Sequence, residues 1–237
     1  METHMPQLFL IPTTLSNTID HSVLLPHDLA RIQHLQHFIV ETPKVARMHL
    51  RQLQLTTPLQ QLQLYELNKH QQDLDSIMQP LVNGLDMGLI SDCGMPAIAD
   101  PGSTIVRLAH TRGIRVVPLT GPSSLLLALM ASGVSGQAFA FNGYLPINPD
   151  ERLQKLRQLE VHILENGQSQ IFIEAPFRNQ QLFQFLIDKA KPQIMLTIAM
   201  NLTTANESIL SYSIEQWRAQ PTLPNLHKQE VVFILGV

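Results

Sequence analysis

One cysteine in 237 residues, Cys93, excludes an internal disulfide and any zinc site built on paired cysteines. Such scarcity is expected of a protein kept in a reducing cytoplasm. No apolar run approaches the ~20 residues that span a bilayer, so no membrane partner is expected. Met1 to Ile11 lacks a basic leader ahead of a long apolar region, which predicts a soluble, unprocessed chain. G-x-G-x-x-G and G-x-x-x-x-G-K-[ST] are both missing, which argues against pyridine dinucleotides and nucleoside triphosphates. There is no H-E-x-x-H, and the pairs His34/His37 and His21/His27 have no third ligand at helical spacing, so no metal is expected. No serine occupies a G-x-S-x-G elbow. Charged residues make up only 15% of the chain, and its net charge of −3 offers no bulk attraction to phosphates.

What is abundant is aliphatic. Hydrophobic residues reach 44% while aromatics stay at 5%, a bias suited to parallel strands buried on both faces. The length exceeds the ~100–150 residues of a single typical domain and fits two α/β lobes. The chain is organised around residues 88 to 124. Gly88 to Ile90 form a buried strand, and Ser91 to Gly102 form a loop because Pro96 and Pro101 lack a donor while Gly94 and Gly102 tolerate positive φ. Ile105, Val106, Leu108 and Ala109 recur at helical spacing after Ser103, a candidate N-cap. Gly113 ends that helix, Ile114, Val116 and Val117 make another strand, and Gly121-Pro122-Ser123-Ser124 opens the next helix. A right-handed crossover puts both loops on one edge of a parallel sheet, where open α/β sheets bind ligands.

Along the chain, Gln7 to Ile11 read as a first strand followed by the loop from Pro12. Asp28 to His37 read as a helix, Phe38 to Val40 as a strand ending in Glu41-Thr42-Pro43-Lys44, and Val45 to Leu53 as a helix. Leu62 and Leu64 mark a short strand, Leu67-Asn68-Lys69-His70 a loop, and Leu74 to Val82 a helix. Further on come a helix from Leu125 to Ala131, a strand from Phe139 to Phe141 and a connector from Leu145 to Asp150. A helix from Arg152 to Leu164 and a strand from Gln170 to Ile173 follow. Asn179 to Ala190 read as an amphipathic helix, and Ile194 to Ala199 with Val231 to Leu235 as strands of a second sheet. Lys44, Arg47 and Arg51, and Arg152, Lys155 and Arg157, are basic at helical spacing; each set is either a phosphate contact or a solvated helix face.

S-D-C-G-M-P-A-I-A-D-P-G from Ser91, G-I-R-V-V-P-L-T-G-P-S-S from Gly113 and F-N-G-Y-L-P from Phe141 resemble the tetrapyrrole-methylase superfamily. The likeness is to its ribosomal RNA small subunit methyltransferase I branch. It continues through F-I-E-A-P-F-R at 172–178, A-M-N-L-T-T-A-N-E-S-I at 199–209 and K-Q-E-V-V-F-I-L-G at 228–236. The resemblance implies a two-lobe α/β fold with mixed or parallel sheets flanked by helices, lobes 1–118 and 122–237, and a ligand cleft between them. It also implies a homodimer using S-adenosylmethionine to methylate a cytidine ribose 2′-hydroxyl in RNA. The cofactor-binding residues it points to are Pro12, Ser91, Asp92, Gly94, Met95, Pro96, Gly121, Ser123, Ser124, Tyr144, Glu174, Asn201 and Leu202. Where the family carries Gly-Asn-Leu-x-Asp after its I-P-T-P, this chain has Leu15-Ser16-Asn17-Thr18, and where the family carries Glu-Asp-Thr-Arg it has Glu41-Thr42-Pro43-Lys44. With one residue after Gly236, no further C-terminal segment is expected to supply RNA contacts.

Methyl transfer needs in-line positioning and a dry site more than it needs a set of catalytic side chains. A hydroxyl acceptor still benefits from a base, for which Asp92, Asp100 and Glu174 are the candidates. Asp100 alternatively caps its own turn and Glu174 alternatively pairs with Arg178, whereas Asp92, at a strand end, is the favoured pocket carboxylate. Ser123 and Ser124 either meet ligand or cap a helix, and Cys93 fills a turn. The open alternatives to RNA methylation are a small-molecule methylase and a non-catalytic relative that keeps the cofactor pocket.

Overall fold

The computed structural model describes residues 5–16, 23–67 and 73–237. The chain divides into two compact units, Met1–Ser123 and Ser124–Val237.

In the first unit, strands β1 (Gln7–Ile11), β2 (His37–Val40), β3 (Gln63–Glu66), β4 (Met87–Ile90) and β5 (Arg115–Pro118) form one sheet in the order β3-β2-β4-β1-β5. Every pairing is parallel. The helices between them are α1 (Pro26–Ile32), α2 (Pro43–Leu50), the short α3 (Leu74–Ile77) and α4 (Gln79–Val82), and α5 (Ser103–Thr111). Successive side chains of a strand point to opposite faces, and both faces are covered here. Phe9, Ile11, Phe38, Val40 and Ile90 join one apolar cluster, and Leu8, Ile39, Met87 and Leu89 join the other. Gly88 sits where no side chain fits: a Cβ there would lie 2.6 Å from the Phe38 ring and 2.7 Å from Ile11 Cδ1.

The second unit holds α6 (Ser124–Ser132), β6 (Phe139–Tyr144), α7 (Pro149–Asn166), β7 (Ser169–Ile173), α8 (Asn179–Lys189), β8 (Met195–Met200), β9 (Ser208–Ser213), α9 (Ile214–Ala219) and β10 (Val231–Gly236). Its sheet runs β6-β7-β10-β8-β9. It is mixed: β6 and β7 are parallel, whereas β10 is antiparallel to both β7 and β8, and β9 is antiparallel to β8. All six residues of β10, the central strand, are buried. On one face Phe172 stacks on Phe233 at 5.7 Å between ring centroids, within a cluster that includes Leu196, Ile198, Phe183 and Trp217.

Several local expectations change. The helix expected over Asp28 to His37 ends at Ile32, and His37 is the first residue of β2. The helix expected over 74–82 is split into α3 and α4, because Pro80 has no N–H to offer the carbonyl four residues back. Ser103 is the first residue of α5 and not its cap; Gly102 precedes the helix, and its N–H donates to Asp100 Oδ1 at 2.7 Å. Pro149 and Asp150, expected in a connector, are the first residues of α7, capped by Asn148, whose Oδ1 accepts from Asp150 and Glu151. Proline is well suited to that first helical position. The hairpin partner β9 and the helix α9, closed by a reciprocal Ser213/Gln216 capping box, were not anticipated.

Candidate active site

Because all five strands of the first unit run parallel, the loops that follow them leave from a single edge. With β1 lying between β4 and β5, its loop is flanked by the other two. The three loops are tied together. Thr13 N–H donates to the Gly94 carbonyl at 2.9 Å, and the Ser91 hydroxyl donates to the same oxygen at 3.1 Å. Gly94 has φ +72°, and a Cβ on it would come within 3.0 Å of Leu15 and 3.3 Å of the Pro122 carbonyl. Gly121 lies so close to Pro12 that a Cβ would sit 2.2 Å from the proline ring. Pro12, Ser91, Gly94 and Gly121 are therefore brought into one cluster, with buried Pro96 and half-buried Met95 on the same loop as Gly94. Ser123 and Ser124, both half-buried, lead from that edge into α6.

Each of the three carboxylates is engaged by the protein. Asp92 accepts from Thr42 twice, from N–H at 3.1 Å and from the hydroxyl at 2.6 Å. Its own N–H donates to Glu41 Oε2 at 3.2 Å, and its carbonyl accepts from His49 Nε2 at 3.2 Å. Asp100 closes its own loop, accepting from Ala97 N–H at 2.9 Å and from Gly102 N–H. Burial pushes the Asp100 carboxyl above its ordinary value, and the Gly102 and Ala97 donors act in the opposite sense. In the same loop Ala97 and Ala99 have φ of 66° and 64°, a conformation that costs a non-glycine residue about 1–3 kcal/mol and persists where surrounding structure enforces it.

In the second unit, Tyr144, Glu174, Asn201 and Leu202 gather at one end of the mixed sheet. Tyr144 pairs with Ile173, whose chain continues into Glu174, and Met200 pairs with Val231 just before Asn201. Glu174 is buried; its Oε1 accepts from Arg178 Nη2 at 2.6 Å and from Ala175 N–H at 2.7 Å. Asn201, at φ 48°, donates from Nδ2 to Gln229 Oε1 at 2.7 Å and accepts from Glu230 N–H at 3.3 Å. Leu202 is buried and Tyr144 exposed.

Residues 29–217 match the family described as Tetrapyrrole (Corrin/Porphyrin) Methylases. The chain belongs to this family. Among its relatives is the ribosomal RNA small subunit methyltransferase I of Xylella fastidiosa strain Temecula1, 30% identical over 96% of this chain and 80% of that one. The enzyme of the same name from Vibrio cholerae is 29% identical over 97% and 77%. Two solved structures share the fold. The methyltransferase CobJ superposes with a TM-score of 0.60 at 16% identity, covering 98% of this chain and 93% of its own. Uroporphyrin-III-C-methyltransferase from Thermus thermophilus gives 0.53 at 13% identity, over 97% and 94%. Membership in a methylase family makes this chain a methyltransferase, and the family implies S-adenosylmethionine as donor.

Against that family pattern, the substituted first loop is described at Leu15 and Ser16, whereas Asn17 and Thr18 lie outside the described residues, as do Asn68-Lys69-His70 and His21. The Cys93 thiol is exposed and donates to the Leu15 carbonyl at 3.6 Å. Among the described residues no three His, Cys, Asp or Glu side chains cluster as metal ligands; His34 meets Asp86 at 2.8 Å and His37 meets Tyr65 at 3.1 Å. The two basic sets differ. Lys44, Arg47 and Arg51 stay exposed along α2 and its C-cap, whereas Arg152 is buried, donating to the Ile147 carbonyl, and Arg157 pairs with buried Glu160 at 2.7 Å. Thr14, Thr42 and His49 were not singled out from sequence. The available signal for His49 was a histidine on the apolar face of α2, in line with Ala46 and Leu50.

Proposed function

We propose that this methyltransferase acts on small-subunit ribosomal RNA, at a ribose 2′-hydroxyl, with S-adenosylmethionine held at the loop edge of the first unit. The observation that carries the donor assignment is the interlock of the three loops, where Gly94 and Gly121 leave no room for side chains and the junction is made by main-chain groups, Thr13 N–H on the Gly94 carbonyl. Such a junction has the polarity for a donor of low net charge, and S-adenosylmethionine supplies, when bound, a methyl carbon on a sulfonium. The loops' part is to hold that carbon in line with the attacking oxygen and to keep water out. Of the three carboxylates, half-exposed Asp92 is assigned as the hydrogen-bond acceptor for the attacking hydroxyl, while Asp100 and Glu174 are assigned to holding their loops.

The RNA assignment is supported by the names of the relatives and by Lys44, Arg47 and Arg51, an exposed basic row on a helix that starts at the same sheet edge. A homodimer is proposed as well, supported by exposed Phe139, Phe141, Ile147 and Phe177 in the second unit; light scattering at the 26.7 kDa chain mass would reject it. A single cysteine supports a cytoplasmic setting.

Calorimetric titration with S-adenosylmethionine and with its demethylated product tests the donor reading: heat with both is expected, and none with either defeats it. Asp92→Asn is expected to lower turnover by about 10²-fold or more, the contribution of a positioned proton acceptor, with donor affinity nearly kept. An unchanged rate removes Asp92 from that role.

A further inference from the structure

A cavity of about 10 Å³, counted as space open to the centre of a water molecule, lies between the first loop and α2 in the first unit. Thr14, His49, Gln52 and Leu53 line it together with Ile11 and Ile90. Thr14 and His49 are 2% and 3% exposed, and Thr14 Oγ1 and His49 Nδ1 find no hydrogen-bond partner among the described residues. Two buried polar atoms without partners on one small cavity are rare in a folded protein.

The state of the imidazole follows from its other nitrogen. His49 Nε2 faces the Asp92 carbonyl at 3.2 Å; a carbonyl only accepts, so Nε2 carries the proton. Burial holds the ring below its ordinary pKa, against the raising effects of the Asp92 hydrogen bond and charge. A neutral ring protonated at Nε2 has its lone pair on Nδ1, an obligate acceptor, beside a threonine hydroxyl that donates or accepts. The space admits the centre of a water molecule, and a water there has polar partners on two sides.

We propose that the cavity is a hydration site in which one water donates to His49 Nδ1 and shares a hydrogen bond with Thr14 Oγ1, and that His49 is thereby a positioning residue for Asp92. The water fixes the ring, the ring fixes the Asp92 carbonyl, and Glu41 and Thr42 hold that residue's N–H and carboxylate. The path of the 91–96 loop is set from α2. Only the donor-affinity part of the test below rests on the proposed function.

Long-range ¹H–¹⁵N NMR should find His49 neutral and protonated at Nε2 at pH 7; an Nδ1–H tautomer or an imidazolium would overturn the assignment. A crystal structure that resolves waters should place one at ordinary hydrogen-bonding distance, about 2.7–3.2 Å, from both atoms. A dry cavity, or a direct Thr14–His49 bond, overturns the hydration site. For positioning, His49→Gln keeps a donor near the Asp92 carbonyl and His49→Leu removes it. Amide exchange in 91–96 should accelerate in the leucine variant and return toward wild type in the glutamine variant, and donor affinity should fall roughly tenfold and recover to within about threefold, the scale of one hydrogen bond. Equal effects of the two substitutions would overturn the positioning role. If His49→Leu does not fold, Thr14→Val decides: faster exchange in 91–96 with an intact fold is expected, and unchanged exchange contradicts the coupling. If the wild type binds no donor, the proposed function fails, while tautomer, water and exchange still decide this inference.

Discussion

Gly94 is where backbone conformation and packing demand the same residue. Its φ of +72° penalises any Cβ, and that Cβ would press on Leu15 at 3.0 Å and the Pro122 carbonyl at 3.3 Å. Gly94→Val is expected to abolish donor binding in calorimetry while circular dichroism stays near wild type; retained affinity would remove this loop from the donor site. His49 makes a prediction about pH. Its folded pKa is below the ordinary 6.5, so as pH falls from 6.5 the unfolded chain takes the proton first and the folded state loses stability. Above 6.5 the neutral ring costs nothing of this kind. Urea denaturation of wild type and His49→Gln should give a stability difference that is constant above 6.5 and moves against the wild type below it. The lowered His37 and the raised Asp100 occur in both proteins and cancel; Asp100 alone, with its pKa raised, would favour the folded state on acidification. A difference flat to pH 5 would contradict the burial argument. At this scale the glycines and prolines of the edge were legible in sequence, since their steric demands are local. Thr42, Thr14 and His49 were not, because their roles depend on partners 43 to 50 positions away or on a cavity that exists only after β1 and α2 pack.

Among elements, β4 shows why composition alone points to a doubly covered sheet: all four of its residues are buried and two are aliphatic. At Gly88 the Phe38 and Ile11 side chains come within 2.6 and 2.7 Å of where a Cβ would stand, so Gly88→Ala is expected to destabilise by about 1–3 kcal/mol through overpacking. Urea midpoints measure it, and an unchanged midpoint would mean that the sheet shifts freely. The parallel strands of the first unit were readable as short aliphatic runs bounded by turn residues. β9 was not: three of its six residues, Ser208 to Ser213, are serines, the apolar Ile209 and Leu210 are adjacent, and all six are half-buried, so its place is fixed by pairing with β8. The basic row on α2 is an element-scale feature as well. Lys44, Arg47 and Arg51 changed together to Gln should weaken RNA binding and flatten its dependence on log salt concentration by about 2, at roughly 0.7 per phosphate contact on single strands. An unchanged slope would move the RNA contact elsewhere.

For the whole molecule, the family match over residues 29–217 joins two units of different construction. One is an all-parallel sheet whose loop edge suits a cofactor, and the other is a mixed sheet with a buried central strand. The first-loop glycine and acid of the family pattern are replaced here, while the loops after β4 and β5 keep theirs; on the proposed function, donor binding and acceptor choice are therefore tested separately. The central claim is that both persist. It is tested most directly by incubating the protein and methyl-labelled S-adenosylmethionine with purified small ribosomal subunits that lack the modification, then digesting the RNA to nucleosides. The account predicts label on a ribose 2′-oxygen of the small-subunit RNA, lost with Gly94→Val. Donor bound by calorimetry with no label entering the RNA would contradict it.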